Sequence, residues 1–336
     1  MKKGTAIILT ACSTTVFLML GVTLWLLSVT IKQPFQDYSG EARILVTSGL
    51  NATDISQMLE QSGIIKSSLF FRWYLIYQGS NYFLQVGEYR FSTPLTITEV
   101  ASKLHRGEVY RHKITLPEGL SLQEIAKRLE EKGFGDANRY QTLASVPDLI
   151  SDLDPEADNL EGYLFPETYF FTFGMNEEAI LKALTNRFRS IWNAERQTLA
   201  KHLGLTIREI ISLASLIEKE TAIPSERTLI SSVFYNRIQK NMKLECDPTV
   251  IYAIKQVKEY DGVINQSDLK IDSPYNTYKY KGLPPGPITN PGADSIDAAL
   301  KPDSSPYLYF VSKNDGSHFF SSRYRDHRKA VRVYQR

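Results

Sequence analysis

Residues 207–220 read IREIISLASLIEKE. The apolar residues recur every three or four positions, so the stretch predicts a helix with one apolar stripe. Glu218 falls on that stripe, because it follows Ala214 by four residues and Ile211 by seven. Glu220 lies at the edge of the stripe, so the two acids are expected to have different surroundings.

Glu218 is the candidate catalytic residue that this pattern indicates. A carboxyl group among apolar neighbours is disfavoured in its charged form and can hold a proton to donate near neutral pH. The pattern therefore makes Glu218 a candidate general acid. The alternative is a side chain that reaches solvent past its neighbours at the end of the helix, since fully buried acids are rare unless paired. Spacing alone leaves both interpretations open.

Length and charge restrict the classes of protein to consider. The 336 residues are enough for two domains with a sizeable core. The formal net charge is +2 and the basic residues are scattered, whereas binding to nucleic-acid phosphates requires a concentrated basic face. No nucleic-acid partner is expected. The five histidines show no paired spacing typical of metal ligands, so no metal is expected either.

The N-terminal part predicts a membrane anchor. Residues 4–31 form a run of 28 without a charged side chain, with two lysines before it and Lys32 after it. Such a run is long enough to cross a bilayer as one helix. The basic start predicts a cytoplasmic N-terminus and places everything after Lys32 outside.

Two other interpretations of this run are less favoured. A cleaved secretory signal needs a shorter apolar core and a small-residue cleavage site, and a lipoprotein site at Cys12 needs an apolar run that ends there. We therefore predict an anchor over residues 1–32, followed by a polar tether over residues 33–41. Cys246 is the other cysteine, so the exported part is expected to have no internal disulfide.

An internal repeat follows the tether. Residues 44–63 and 114–133, the first and second copies, are identical at seven of twenty positions at an offset of seventy. Each copy predicts a short strand, a turn at a glycine, and a helix capped by Asn51 or Ser121. The two copies either build an α+β spacer or take part in binding, and no single residue decides between these.

The second half of the chain predicts a mainly helical domain. Residues 282–292 read GLPPGPITNPG, which is incompatible with a helix or a central strand. We call this segment the proline/glycine loop and expect it to line a site rather than to serve as a plain connection. The other predicted elements are helices over 70–77, 98–105, 176–192 and 207–220, helices from Ser225 as cap, from 247 and from about 326, a strand over 87–91, and a hairpin of 307–311 with 317–320.

The predicted fold class is α+β. It comprises an N-terminal transmembrane helix, an α+β region over residues 42–145, and a mixed, mainly helical domain with short β-hairpins over residues 146–336.

Six segments of the chain together carry a family resemblance. They are LEGYLFPETY (160–169), LASLIEKET (213–221), VFYNR (233–237), DPTVIY (247–252), YNTY (275–278) and GLPPGPI (282–288). In this order they resemble the endolytic murein transglycosylase family, and the resemblance covers nearly the whole chain. It implies a LysM-like region over 42–145 and a catalytic domain over 146–336, held outside the inner membrane by a single N-terminal helix.

The resemblance also implies an activity. Members of the family cut peptidoglycan inside its glycan strands, between N-acetylmuramic acid and N-acetylglucosamine, and leave a 1,6-anhydro end. The chain would be a lyase without a cofactor. The resemblance further implies that it terminates nascent strands beside peptidoglycan synthases on the periplasmic side.

The family's catalytic glutamate is the first acid of the Glu-Lys-Glu motif, which is Glu218 here. It would protonate the departing oxygen and then accept the proton of the sugar's own C6 hydroxyl, so no second carboxylate is required. Glu167, Asn276 and Tyr278 fall in family motifs and are the predicted substrate-binding residues.

Two other functions stay open at this point. One is a non-catalytic murein-binding anchor or scaffold of the wall-synthesis machinery. The other is an ordinary hydrolase that uses Glu218 with a second acid such as Glu220 or Glu167. Anhydro ends, reducing ends and the absence of fragments distinguish the three.

Overall fold

The computed structural model describes residues 21–22, 25 and 28–335. None of the described helices has the length and apolar character needed to cross a bilayer. The predicted span over residues 4–31 lies largely outside the described residues.

The chain divides into two compact units. Unit 1 takes the residues up to 112 together with 170–174, and unit 2 takes 113–169 and the residues from 175 onwards. The described part is mixed α+β and mainly helical, with short antiparallel hairpins, as predicted. The predicted boundary between residues 145 and 146 lies inside unit 2.

Unit 1 is a two-stranded sheet covered by helices. The apolar residues of strand β1 alternate with polar ones, so Ile44 and Val46 point into a core that also takes the buried faces of the helices. The strands pair antiparallel, with Ile44 opposite Tyr89. The elements are β1 (Ala42–Val46), α1 (Ala52–Gln61), α2 (Ser68–Gln78), β2 (Gly87–Phe91) and α3 (Ile97–His105).

The two copies of the internal repeat have the same local structure. Asn51 and Ser121 are the N-caps of α1 and α4, and each forms a capping box with the acid three residues later, Asp54 or Glu124. The predicted caps are therefore confirmed. The first copy belongs to unit 1, whereas the second copy belongs to unit 2.

Unit 2 is mainly helical. Its strands β5 and β6 pair as a hairpin, and β3 pairs with β4, although residues 112 and 170–171 of these two strands are assigned to unit 1. After α3 the elements are β3 (His112–Thr115), α4 (Leu122–Glu131), α5 (Ala137–Ala144), β4 (Thr168–Phe171), α6 (Glu177–Ile191), α7 (Ala194–Leu203), α8 (Ile207–Glu220), α9 (Arg227–Gln239), α10 (Asp247–Lys255), α11 (Ala293–Leu300), β5 (Tyr309–Ser312), β6 (His318–Ser321) and α12 (Tyr324–Tyr334), with short 3₁₀ turns at Pro147–Ile150, Pro224–Glu226 and Asp268–Lys270.

Helix α8 is the centre of unit 2, and its predicted bounds are confirmed. Every residue from Ile210 to Ile217 is buried, and α8 packs against α7, α9, α10 and α11. The predicted single apolar stripe is thus too narrow, because residues on the other faces, such as Ser212 and Leu216, are covered by neighbouring elements as well.

The start of α9 differs from the prediction. The predicted cap Ser225 lies inside the 3₁₀ turn Pro224–Glu226, and α9 begins at Arg227. Proline suits the first position of a helical turn because its φ is already fixed there and its missing N–H is not needed. The turn therefore starts at Pro224, one residue before the predicted cap.

The proline/glycine loop has no helix or strand, as predicted, and it is held by specific hydrogen bonds. The N–H of Ile288 donates to Ser215 Oγ of α8 at 3.1 Å. The fully buried Asn290 accepts a hydrogen bond from the N–H of Leu164 at 2.8 Å and donates one to the carbonyl of Leu120 at 3.0 Å. The loop is thus an ordered layer between α8 and the second copy of the repeat.

Gly162 illustrates how closely this layer packs. Its φ is +88°, and a Cβ at this position would lie 2.4 Å from Pro287 Cγ and 2.9 Å from Ile211 Cγ2. Any other residue here would have to displace the loop or α8.

We therefore expect Gly162→Ala to be strongly destabilising. The left-handed backbone costs about 1–2 kcal/mol, and the overlap with the loop and α8 adds about 1–3 kcal/mol. Gly204→Ala is the matched control, because Gly204 has a φ of +70° with no atom within 4 Å of the added Cβ. Urea unfolding of both variants should show the larger loss for Gly162→Ala, and equal losses would contradict the close packing.

Candidate active site

Glu218 lies in the last turn of α8, with 7% of its side chain exposed. Its Oε2 accepts a hydrogen bond from the N–H of Gly292 at 3.0 Å. Gly292 is the N-cap of α11, so the carboxylate faces the positive end of that helix. The predicted burial of Glu218 is confirmed.

A buried arginine lies beside Glu218. Arg227 is the first residue of α9, and its Nη2 is 3.8 Å from Glu218 Oε1 and 3.8 Å from Glu118 Oε2. Its Nη1 donates a hydrogen bond to Asp294 Oδ2 at 3.1 Å. The prediction of apolar surroundings for Glu218 is therefore incomplete. The guanidinium group of Arg227, which is always charged, and a helix N-terminus also face its carboxyl group.

Glu118 is the second acid of the site, and it comes from the second copy of the repeat. Nearly half of its side chain is exposed. A Cβ on Gly292 would lie 1.9 Å from Glu118 Oε1, so any other residue at position 292 would displace this carboxylate from its place beside Arg227. Partial burial raises the pKa of Glu118, and the negative charge of Glu218 raises it further.

Sequence reasoning did not identify Glu118 or Arg227. A comparison of the two copies of the repeat singles out Glu118. Both copies have a glycine in the turn, but the residue before it is Ser48 in the first copy and the acidic Glu118 in the second. Arg227 has no comparable signal, because it becomes significant only where α9 packs beside α8.

The arrangement can move a proton. Glu218 is enclosed and Glu118 is open to solvent, and both lie near the same guanidinium group. Carboxyl groups in such different environments can serve as acid and base in one reaction. Within the described part of the chain, no group of three or more His, Cys, Asp or Glu side chains is arranged to hold a metal ion.

Two of the predicted substrate-binding residues already have hydrogen-bond partners within the protein. Asn276 is fully buried, donates hydrogen bonds to the carbonyls of Leu269 and Ile271, and accepts one from the N–H of Tyr278. The hydroxyl of Tyr278 donates to Asp247 Oδ1 at 2.5 Å. In this structure Asn276 holds the turn before the proline/glycine loop.

Glu167, the third predicted substrate-binding residue, forms an ion pair with Arg187 of α6. Among the described residues, no hydrogen bond or ion pair joins Glu218 to Glu167, Asn276 or Tyr278. Their role in binding a sugar stays a prediction.

Glu220 has surroundings different from those of Glu218, as the helix pattern indicates. Its Oε1 accepts a hydrogen bond from Cys246 Sγ at 2.9 Å. Burial raises the pKa of Glu220 to about 7, and the nearby Asp247 adds to the shift. The two acids of the Glu-Lys-Glu motif therefore face separate clusters of side chains.

Glu161 is a third enclosed acid, and it supports the proline/glycine loop. Its Oε1 accepts hydrogen bonds from the N–H of Leu122 at 2.9 Å and from Asn290 Nδ2 at 3.0 Å. Burial raises the pKa of Glu161 to about 8. Glu161 and Tyr252 also line a cavity of about 230 Å³, which Glu218 does not line. Glu161 therefore has a structural role, since it holds Asn290, which lies two residues before Gly292 in the loop.

Comparison with known families places this site in a wider context. The model of the YceG-like family matches residues 44–333. A crystal structure of a YceG-like protein from Listeria monocytogenes superposes with a TM-score of 0.60 at 30% identity, covering 87% of this chain and 99% of that one.

Curated relatives carry a functional name. A protein of Bacillus subtilis named endolytic murein transglycosylase is 35% identical over 317 residues, which cover 89% of this chain and 86% of that protein. A protein of Streptococcus pneumoniae with the same name is 30% identical, over 85% of this chain but only 57% of the streptococcal protein.

The enclosed Glu161 predicts a dependence of stability on pH. The folded chain holds its proton more tightly than the unfolded chain, whose carboxyl titrates near 4.5. This contribution to stability is therefore fully present below pH 4.5 and is lost as the pH rises through about 8.

We expect Glu161→Gln to remove this loss. Urea unfolding between pH 5 and pH 8 should give a shallower pH dependence for the variant, by up to about 1.4 kcal/mol per pH unit. Glu131→Gln changes an exposed acid at the other end of α4 and should keep the wild-type slope. Identical slopes for wild type and Glu161→Gln would show that Glu161 does not hold this proton.

Proposed function

The chain belongs to the YceG-like family, and we propose that it is an endolytic murein transglycosylase that cuts peptidoglycan inside its glycan strands. The observation that supports this most directly is the enclosed Glu218, held by Gly292 and Arg227 beside the more exposed Glu118. The bond that it cleaves joins N-acetylmuramic acid to N-acetylglucosamine, and the product keeps a 1,6-anhydro end.

In the first step Glu218 acts as a general acid. Its Oε2 accepts the Gly292 N–H, so the transferable proton belongs on the other oxygen, Oε1. Oε1 gives this proton to the glycosidic oxygen while the bond to C1 breaks and its electron pair leaves with that oxygen. Arg227 and the N-terminus of α11 stabilise the carboxylate that forms.

In the second step the same carboxylate acts as a base. It takes the proton of the C6 hydroxyl as the C6 oxygen attacks C1, which closes the anhydro ring and restores the acid. No water is consumed, so no second carboxylate has to activate one.

Glu118 can supply protons to the site. Partial burial and the negative charge of Glu218 raise the pKa of Glu118, so it holds a proton more readily than an ordinary glutamate does. The solvent-exposed Glu118 can exchange protons with bulk water, whereas Glu218 is shielded from it.

Hydrolysis is the rival reaction, because a second acid lies near Glu218. Retaining and inverting glycosidases place two carboxyl groups on either side of the bond that they cut. The predicted partners for such a reaction were Glu220 and Glu167, but the acid next to the guanidinium group that Glu218 faces is Glu118. A hydrolase would use Glu118 to activate water and would release reducing ends.

We place the protein at the inner membrane, with units 1 and 2 on the periplasmic side. The uncharged run over residues 4–31 supports this location as a single anchor. A LysM-like region over residues 42–145 would bind glycan strands, and contact with peptidoglycan synthases would let the enzyme terminate nascent strands.

Glu218→Gln is the main test of this function. Because general acid–base catalysis contributes about 10²–10⁴-fold, we expect the release of anhydro ends from purified murein by the full chain to fall by at least about 10²-fold. Mass analysis of the fragments gives the measurement. Glu195→Gln, which changes an acid on α7 with a 70% exposed side chain, is the matched control and should stay active. Wild-type protein that retains murein without cutting it would instead support the non-catalytic anchor.

Glu118→Gln tests the role of the second acid. We expect a smaller loss than for Glu218→Gln, with anhydro ends still the product and a changed pH dependence of the rate, since the pKa of Glu118 is raised. The measurement is the initial rate of fragment release from pH 4 to pH 8. Reducing ends from the wild type, lost completely in Glu118→Gln, would establish hydrolysis instead.

A further inference from the structure

Helix α2 of unit 1 exposes an unusually apolar face. Its outward residues recur at positions i, i+4, i+7 and i+8, which form one stripe along a helix. They are Leu69 (50% exposed), Trp73 (52%), Ile76 (75%) and Tyr77 (85%). We call these four residues the α2 face.

The opposite side of α2 already supplies the core of unit 1. Phe71 and Leu75 are buried there, together with the inner residues of β1 and the other helices. The α2 face is therefore not required for the core of unit 1. Large apolar side chains that remain together at a surface mark a site of interaction with a partner protein, a ligand or a membrane.

The charge on α2 itself is positive. Arg72 is the only charged residue of the helix, and the exposed Lys66 precedes its start, where Ser68 also bonds to Glu60 of α1. No acid lies on α2 to repel an anionic partner.

The chain is fixed to unit 1 directly after the predicted membrane span. Ile31, the last residue of that span, packs against the core of unit 1. The N–H of Phe35 then donates to the carbonyl of Leu95 at 3.0 Å. Four residues extend over about 14 Å at most, so unit 1 must lie at the surface of the membrane that holds the span.

The start of α2 lies next to this exit point. Thr30 and Lys66 line the same small cavity, together with Pro34 and Phe35. Since α2 begins at Ser68, the helix starts close to the place where the predicted span would leave the bilayer.

We propose that the α2 face inserts into the interface of the membrane that anchors the protein, among anionic lipid headgroups. Tryptophan and tyrosine are enriched at this depth. Amphipathic helices with basic residues bind such surfaces with their apolar side about 5–10 Å deep. The insertion holds unit 1 in one orientation on the bilayer. The inference rests on the proposed anchor and is independent of the reaction at Glu218.

Quenching of Trp73 by lipid tests the proposal. The full chain with Trp25→Phe is reconstituted into vesicles of phosphatidylethanolamine and phosphatidylglycerol, with or without bromine near the headgroup end of the acyl chains. The remaining tryptophans are Trp73 and the buried Trp192. We expect bromolipid to reduce the emission of this variant, and Trp73→Phe in the same background to abolish that loss.

Leu45→Trp, added to the Trp25→Phe/Trp73→Phe variant, is the matched control. Leu45 is exposed on β1 and points away from the core of unit 1, whereas α2 packs Phe71 and Leu75 into that core. Its tryptophan should not be quenched.

Each other outcome overturns the proposal. If the protein floats with the vesicles but Trp73 is not quenched, the membrane anchor is supported and insertion of the α2 face is contradicted. If the protein does not float with the vesicles, both the anchor and the insertion are contradicted. Emission of Trp73 that changes with protein concentration and not with bromolipid would assign the face to a second copy of the chain.

Discussion

The contact between the proline/glycine loop and α8 positions the groups of the site. Ile288 is bonded to Ser215 in the middle of α8, and Gly292 is bonded to Glu218 at its end. Between them the buried Asn290 bonds to the second copy of the repeat, which carries Glu118. Because prolines restrict the loop and Asn290 bonds it to both neighbouring segments, the loop can hold a carboxylate in one place without belonging to a helix or strand.

The charges of the site depend on one another. An unpaired charge in the interior costs several kcal/mol, so the buried Arg227 requires acids around it. Glu118, Glu218 and Asp294 supply them at 3.1–3.8 Å. Glu218 is therefore enclosed yet faces a cation and a helix N-terminus, which favour the carboxylate that remains after it has given up a proton. A purely apolar pocket would hold the proton but would not stabilise the product of its transfer.

The internal repeat shows how one local pattern serves two purposes. Both copies need only a capped helix, a glycine turn and apolar residues at helical spacing, and these features appear in both. The position before the glycine is not fixed by that pattern. It is Ser48 in the first copy and Glu118 in the second, so the same unit is part of the core of unit 1 in one place and contributes an acid to the site in the other.

The sequence by itself determined the local features, because their causes lie within a few residues. The bounds of α8, the caps Asn51 and Ser121, the irregular proline/glycine loop and the burial of Glu218 all follow from spacing, capping chemistry and backbone restriction. Only the tertiary structure decided which groups meet Glu218. Arg227, Glu118 and Gly292 approach it from three separate parts of the chain. Periodicity describes which side of a helix is buried, whereas the charge that faces this side is set by long-range packing.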